Sequence, residues 1–161
     1  MQRRNNKGFT LVEILIVVII LGILAAIVIP QFTNASTDAK KNSLTSQLQT
    51  IRSQLELYKL QHNDVLPDFA GKQWVQMTMK SDATGDTGAT TMDFGPYLQQ
   101  IPTNPLNNNT TVATGTTDAD TSSTFAAGTG FYINTTNGKV WASNVKDTVL
   151  FDETTGTLVF P

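Results

Sequence analysis

Glu13 is the residue whose type and position most directly suggest chemistry. It lies inside residues 9–29, a run that is apolar apart from Glu13 and Thr10. A carboxylate within a membrane segment costs about 2.5–3.5 kcal/mol on insertion scales, so Glu13 needs compensation there. The compensation is either contact with the headgroup region, since Glu13 lies near the start of the run, or a cation in the same apolar layer. Glu13 therefore indicates either an interfacial carboxylate or one member of an ion pair.

Other residue types leave little room for catalysis or metal binding. The chain has no cysteine and a single histidine, His62, among 161 residues. This excludes thiol nucleophiles, disulfides, thiolate zinc sites and two-histidine metal motifs. Asp118 and Asp120 stand two residues apart and are candidate calcium ligands, although no complete calcium-loop motif surrounds them. The alternative to a calcium site is that both aspartates are solvated loop residues, and His62 is predicted to be an exposed residue at a helix end. We also predict that the chain is not an enzyme.

Charge gives no reason to expect a nucleic-acid partner, because the net charge is −2 and only 15% of the residues are charged.

Residues 9–29 are long enough to cross a membrane, at about 31 Å for a helix. Three basic residues within residues 1–8 predict a cytoplasmic N-terminus. A signal peptide has 7–15 apolar residues, whereas Ile14–Ile29 is an uninterrupted run of 16. A plain membrane anchor explains the length but not Glu13.

Residues 7–32, KGFTLVEILIVVIILGILAAIVIPQF, resemble the N-terminus of type IV prepilins and of type II secretion pseudopilins. The match combines a basic leader (residues 1–8), a glycine before an aromatic residue, an acid and an apolar run ended by proline. The resemblance implies that a prepilin peptidase cleaves between Gly8 and Phe9 and that the new Phe9 amine is N-methylated. It also supplies a cation for Glu13, namely the Phe9 amine of a neighbouring subunit.

Gly22 and Pro30 interrupt the apolar run with two residues of low helix propensity. The resemblance implies that the helix between them loosens when subunits assemble. The alternative for Pro30 is a simple boundary where the chain leaves the membrane.

A long helix is predicted over residues 9–62, with a transmembrane and assembly half (9–29) and an amphipathic half (30–62). In the second half, apolar residues recur at spacings of three and four and form one stripe. The stripe consists of Leu44, Leu48, Ile51, Leu55 and Tyr58. We predict that it packs against a head formed by residues 63–161, and that Asn63, Asp64 and Pro67 end the helix.

A proline-rich segment, FGPYLQQIPTNP over residues 94–105, is predicted to follow a bent path pinned to the core. It resembles the segment after the long helix in major pseudopilins of type II secretion, which helps to pack subunits there. The residues carried over as a subunit-packing loop are Gly95, Pro96, Tyr97, Pro102 and Pro105. The alternative is an ordinary packing loop.

Residues 107–130 are predicted to be a polar surface loop, and β structure is predicted after them. Four apolar runs, at 131–133, 140–142, 149–151 and 158–160, are separated by turn signals, of which Asn137-Gly138 is the strongest. We expect them to form a small antiparallel sheet, with Trp141 in the core. A long N-terminal helix packed against such a sheet is the α+β, type IV pilin-like fold that the resemblance implies.

The function implied by the resemblance is that of a structural subunit of a type II secretion pseudopilus. Its partners would be further copies and minor pseudopilins in a filament, prepilin peptidase, and an inner-membrane assembly platform with its ATPase. The head would be extracytoplasmic, first on the inner membrane and then in a periplasmic filament. Major pseudopilins often bind calcium in their C-terminal loops. Two alternatives stay open: a type IV pilin for adhesion, motility or DNA uptake, and a membrane-anchored extracytoplasmic binding module.

Overall fold

The computed structural model describes residues 8–119, 125–144, 150–152 and 157–158. Within these residues, three helices precede five short strands. The helices are α1 (Leu11–Gln61), α2 (Phe69–Lys72) and α3 (Val75–Thr78). The strands are β1 (Thr111–Gly115), β2 (Thr129–Asn134), β3 (Val140–Ala142), β4 (Phe151–Asp152) and β5 (Thr157–Leu158). A long helix followed by a small sheet confirms the predicted α+β class.

The chain divides into two compact units, Met1–Ala39 and Lys40–Pro161, and α1 contributes residues to both. Several hydroxyl side chains of α1 donate to a backbone carbonyl one turn earlier, for example the Thr33 hydroxyl to the carbonyl of Ile29 at 3.1 Å. The helix ends where Asn63 and Asp64 adopt left-handed conformations. The amide of Asp64 then donates to the carbonyl of Lys59 at 2.8 Å. Asparagine and aspartate tolerate this conformation better than other side chains, so the predicted end of the helix is confirmed.

The predicted apolar stripe is the helical side of the core of the second unit. All five of its residues are at most 1% exposed. Facing them are fully buried residues of the sheet and of the short helices. These are Met77, Phe131, Ile133, Val140 and Ala142. Trp74 lies between Phe69 and Phe131, with edge-to-face ring distances of 5.3 and 5.4 Å.

The main sheet is mixed rather than antiparallel, which corrects the prediction. Its order is β1-β2-β3; β1 pairs with β2 in parallel, and β2 pairs with β3 in antiparallel register. Strand β1 lies within residues 107–130, which we predicted to be a loop. Only Val112 of this strand is buried, so its sequence lacks the alternation of a half-buried strand. Its strand conformation comes from pairing with β2.

Two side chains bond to the outer edge of β1 and to the residue just before it. The Gln73 amide accepts from the amide of Val112 at 2.7 Å and donates to the carbonyl of Val112 at 3.1 Å. The Trp74 indole donates to the carbonyl of Thr110 at 2.6 Å. Because unpaired strand edges invite pairing with other chains, this cover reduces the exposed edge of the sheet.

The predicted hairpin around Asn137-Gly138 is confirmed. Ile133 pairs with Val140 and Tyr132 with Trp141. The connection is a four-residue turn over residues 135–138, in which Gly138 has a φ of +75°, a conformation that glycine adopts without strain. The prediction for Trp141 was wrong, because its ring is only partly buried and lies beside Tyr132 at 5.8 Å.

The second predicted hairpin is confirmed as an antiparallel β4–β5 pair, in which Phe151 pairs with Leu158. This pair forms its own two-stranded ladder, and an isolated bridge joins Ser143 to Leu150. The turn predicted between β4 and β5, residues 153–156, lies outside the described residues.

His62 is buried rather than exposed, which corrects a second prediction. It is 2% exposed, and its ring stacks on Tyr58 at 3.8 Å. One ring nitrogen lies 2.9 Å from the carbonyl of Tyr58 and the other 3.0 Å from the hydroxyl of Ser81. His62 therefore joins the end of α1 to the loop that follows α3.

Candidate functional site

The predicted cleavage site lies in a non-helical segment directly before α1. Residues 8–10 have no regular structure and are exposed, with Phe9 at 79%. A Cβ atom built on Gly8 meets nothing within 4 Å. A protease can therefore reach the Gly8–Phe9 bond without unwinding the helix, and the glycine is not required by the chain's own packing.

Glu13 and Thr10 cap the start of α1 reciprocally. The amide of Glu13 donates to the Thr10 hydroxyl at 3.2 Å, and the amide of Thr10 donates to the Glu13 carboxylate at 3.5 Å. This is a capping box, in which two otherwise unpaired amide donors of the first turn find partners. The role of Thr10 was not predicted from the sequence, although the Thr-x-x-Glu spacing before an apolar run is its signature.

The helix beyond the capping box exposes apolar side chains all round. Every large apolar residue from Leu11 to Ile29 is at least 49% exposed. The helix is long and apolar enough to cross a membrane, and the apolar stretch is not buried within the chain. A helix that is apolar on every side requires lipid or other apolar helices around it.

Gly22 and Pro30 both lie within the continuous helix α1. Pro30 has no amide hydrogen, so the carbonyl four residues earlier lacks its usual helical partner. A Cβ atom on Gly22 would meet nothing within 4 Å. The stretch from Gly22 to Pro30 is therefore helical in the single chain. Its loosening when subunits assemble stays a prediction.

The predicted packing loop is held in the second unit by two anchors. The amides of Tyr97 and Leu98 both donate to the carbonyl of Met77, at 2.9 and 2.8 Å. The Tyr97 hydroxyl donates to the Gln61 side chain at 2.6 Å, and its ring meets Tyr58 edge to face at 5.1 Å. The expectation that this segment is pinned to the core is therefore confirmed. Its role in subunit packing remains a prediction.

A groove of about 190 Å³ runs between α1 and this loop. It is lined by Gln47, Thr50, Ile51, Leu98, Gln99, Gln100 and Pro102. The side-chain oxygen of Gln47 is buried there and has no hydrogen-bond partner. Small-molecule sites usually hold about 300–1,000 Å³, so this groove is smaller than a typical ligand site. Pro102 is buried in its wall, whereas Pro96 is exposed and Pro105 is partly buried.

Gly95→Ala is expected to destabilise the second unit by about 1–3 kcal/mol, the range for a strained backbone conformation. Gly95 has a φ of +77°, and an added Cβ would lie 2.9 Å from the carbonyl oxygen of Met79. Urea unfolding of the full chain in detergent, followed by tryptophan fluorescence, measures the change. The control is Gly88→Ala, whose Cβ would meet nothing closer than 3.7 Å. Equal stability of the two variants would contradict the strain argument.

Asp118 is the calcium candidate that the structure describes, and Asp120 lies outside the described residues. The Asp118 carboxylate accepts hydrogen bonds from Lys139, Asn137 and Asn134, which together lower its pKa to about 2. Among the described residues, no three His, Cys, Asp or Glu side chains come together as a metal site. The calcium expectation stays a prediction.

Known proteins resemble this chain at its N-terminal motif, and the similarity continues into the rest of the chain. A family model described as the prokaryotic N-terminal methylation motif matches residues 3–29. The type II secretion system core protein G of Pseudomonas aeruginosa is 37% identical over 108 residues, which cover 67% of this chain and 73% of that protein. Proteins of the same name from Aeromonas hydrophila and Klebsiella pneumoniae are 29% and 30% identical over 108 and 105 residues. These alignments cover 67% and 65% of this chain, and 73% and 71% of the relatives. No solved structure matches the chain significantly.

Proposed function

This chain belongs to the family of the type II secretion system core protein G, and we propose that it is the subunit that builds the filament of a type II secretion pseudopilus. One observation carries the proposal. The 108 residues aligned with the Pseudomonas aeruginosa protein are more than the 61 residues up to the end of α1, so the similarity extends into the head. An N-terminal helix alone would fit type IV pilins equally well.

Maturation in this proposal begins with a prepilin peptidase that cleaves the Gly8–Phe9 bond. The exposed, non-helical backbone of residues 8–10 supports this step, because a protease binds its substrate as an accessible strand. Cleavage removes the basic leader and leaves Phe9 with a free amine, which is then methylated. The processed chain keeps Thr10 and Glu13, so its capping box survives cleavage.

Assembly in this proposal pairs the Glu13 carboxylate with the Phe9 amine of a neighbouring subunit. Glu13 lies in the first turn of α1 and Phe9 just before it, at the edge of the apolar surface. In an apolar bundle such a pair specifies register more than it adds net stability. The pair therefore sets how far each helix slides along its neighbour before the heads come into contact.

The energy for extracting the subunit from the inner membrane must come largely from outside the chain. Lipid already shelters the exposed apolar side chains of residues 11–29, so bringing these helices together adds little hydrophobic stabilisation. An assembly ATPase, acting through an inner-membrane platform, supplies the work. Contacts between heads, with minor pseudopilins at the filament tip, hold the extracted subunits, and the chain acts mechanically rather than as a catalyst.

A gene deletion in the organism that makes this chain tests the proposal. We expect the substrates of type II secretion to accumulate in the periplasm, and the wild-type chain supplied in trans to restore their release. Loss of surface pili, adhesion or twitching with normal secretion would identify a type IV pilin instead. Loss of neither function would leave a membrane-anchored binding module.

A further inference from the structure

Gly115 at the end of β1 and the three residues that follow it present a row of oxygen atoms to the β2–β3 hairpin. Backbone carbonyls come from Gly115, Thr116 and Thr117, and the carboxylate of Asp118 continues the row. Closely spaced carbonyl and carboxylate oxygens are the ligands that calcium prefers. Each of these groups nevertheless already accepts a hydrogen bond from the chain itself.

The backbone oxygens are satisfied by residues of the hairpin. The amide of Thr135 donates to the carbonyl of Gly115 at 2.8 Å. The Thr136 hydroxyl donates to the carbonyl of Thr116 at 3.4 Å, and the Tyr132 hydroxyl donates to the carbonyl of Thr117 at 2.9 Å. This part of the closure therefore uses neutral donors.

The Asp118 carboxylate receives both neutral donors and a cation. The side-chain amides of Asn134 and Asn137 each donate to its Oδ1 at 2.7 Å. The Lys139 ammonium donates to its Oδ2 and forms an ion pair with it. Three N–H donors engage both carboxylate oxygens and take three of the about four lone-pair sites, and the Lys139 ammonium already supplies the positive charge that a calcium ion would bring. Asp118 as it stands is therefore a poor fit for a calcium ligand.

The donors are themselves held in place by the hairpin. The Asn134 side-chain oxygen accepts from the amide of Thr136 at 2.8 Å, and that of Asn137 accepts from the amide of Lys139 at 3.0 Å. Each side-chain NH₂ group is thereby turned toward Asp118. The left-handed Gly138 lets the turn carry Asn137 and Lys139 to the same side.

We propose that the Lys139 ammonium supplies the positive charge that closes residues 115–118 onto the β2–β3 hairpin, so that this closure forms without a metal ion. The inference concerns the head alone and does not rest on the proposed role in secretion. It specifies how this chain departs from the calcium-binding C-terminal loops that the resemblance to major pseudopilins leads one to expect.

Thermal unfolding of the full chain in detergent, followed by near-ultraviolet circular dichroism, tests the proposal. We expect the wild-type Tm to be the same in calcium and in EGTA. Lys139→Met is expected to lower Tm by about 1–4 °C, toward the upper end of the range for losing one exposed ion pair in a chain of this size. Lys139→Arg should retain most of the wild-type Tm because it keeps a cationic donor. Lys80→Met, at an exposed lysine outside the cluster, serves as the control and should leave Tm unchanged.

A wild-type Tm that rises with calcium and falls in EGTA would overturn the proposal, as would an unchanged Tm in Lys139→Met. A calcium response that appears only after Lys139→Met would support it, since the freed carboxylate then accepts an added cation.

The pH dependence of Tm is a second test of the contacts around Asp118. The pKa of Asp118 falls from 3.8 to about 2 in the folded chain because of its bonds to Lys139 and the two asparagines. Because the pKa of the carboxylate is lower in the folded chain, its ionisation stabilises the fold fully at pH values above the pKa in the unfolded chain. This stabilisation is lost as the pH falls toward the pKa in the folded chain. The Tm difference between wild type and Lys139→Met should therefore be complete above pH 4 and disappear toward pH 2. A difference that persists unchanged at pH 2 would contradict the role of the ion pair.

Discussion

Glu13→Gln is expected to reduce filament assembly by about 100-fold or more while leaving the unfolding of the head unchanged. In an assembled bundle the substitution would leave the Phe9 amine of a neighbouring subunit unpaired in an apolar layer. Removing one member of a buried ion pair costs about 3–5 kcal/mol, and each 1.4 kcal/mol is about tenfold in an equilibrium. Filament yield by electron microscopy and the amount of secreted protein measure the loss.

Glutamine is the informative replacement because it separates two roles of Glu13. A glutamine at this position of a capping box still accepts the hydrogen bond from the helix start, which here comes from the amide of Thr10. Glu13→Gln therefore removes the charge and keeps the cap. The matched control is Glu56→Gln on the second half of α1, where the carboxylate is 70% exposed and pairs with Lys59 at 3.7 Å. Normal filaments from Glu13→Gln would contradict the ion pair and leave helix capping as the function of Glu13.

Gly8→Val is expected to slow leader removal by about 100-fold, because a displacement of about 1 Å at a reacting bond can cost that much in rate. A Cβ at Gly8 meets nothing within 4 Å in this chain, so the substitution leaves the chain's own packing unchanged. Any loss of cleavage then reports on the fit to the peptidase. Immunoblotting of membranes after a pulse of synthesis separates the longer precursor from the processed chain.

Gly22→Val is the matched control for the processing experiment. A Cβ atom at Gly22 also meets nothing within 4 Å, and this glycine lies within α1, 14 residues beyond Gly8. We expect normal cleavage of this variant. Equal processing of both variants would show that the peptidase does not require glycine before the cut.

The sequence predicts the parts of the fold that depend on the spacing of neighbouring residues or on a short turn motif. The stripe from Leu44 to Tyr58 was visible because helical spacing places its residues on one face. The β2–β3 hairpin was visible because Asn137-Gly138 favours the required turn. At the candidate site, Glu13 stands out as an acid within an apolar run, whereas Gly8 and Phe9 are assigned from the resemblance to prepilins.

The features that sequence reasoning missed depend on long-range contacts. Strand β1 is held by parallel pairing with β2 and by the Gln73 side chain. The polar sequence of β1 predicts neither contact. His62 is buried because Tyr58 and Ser81 supply stacking and a hydrogen bond from both sides. Trp141 is predicted in the core, but its pairing with Tyr132 puts it on the partly buried face of the sheet, and its neighbours Val140 and Ala142 face the core. The capping role of Thr10 is a different case, since its Thr-x-x-Glu signature is local and stands in the sequence.

The intact mass and N-terminal sequence of the native protein, extracted from membranes, test the central claim most directly. If the chain is a processed pseudopilin, it begins at Phe9, carries one methyl group on the terminal amine, and lacks the mass of residues 1–8. A native chain that begins at Met1 would show that α1 is a permanent anchor, and the proposed pairing of Glu13 with a free Phe9 amine would then be wrong. A chain that begins beyond Pro30 would identify a secreted protein and remove the assembly segment altogether.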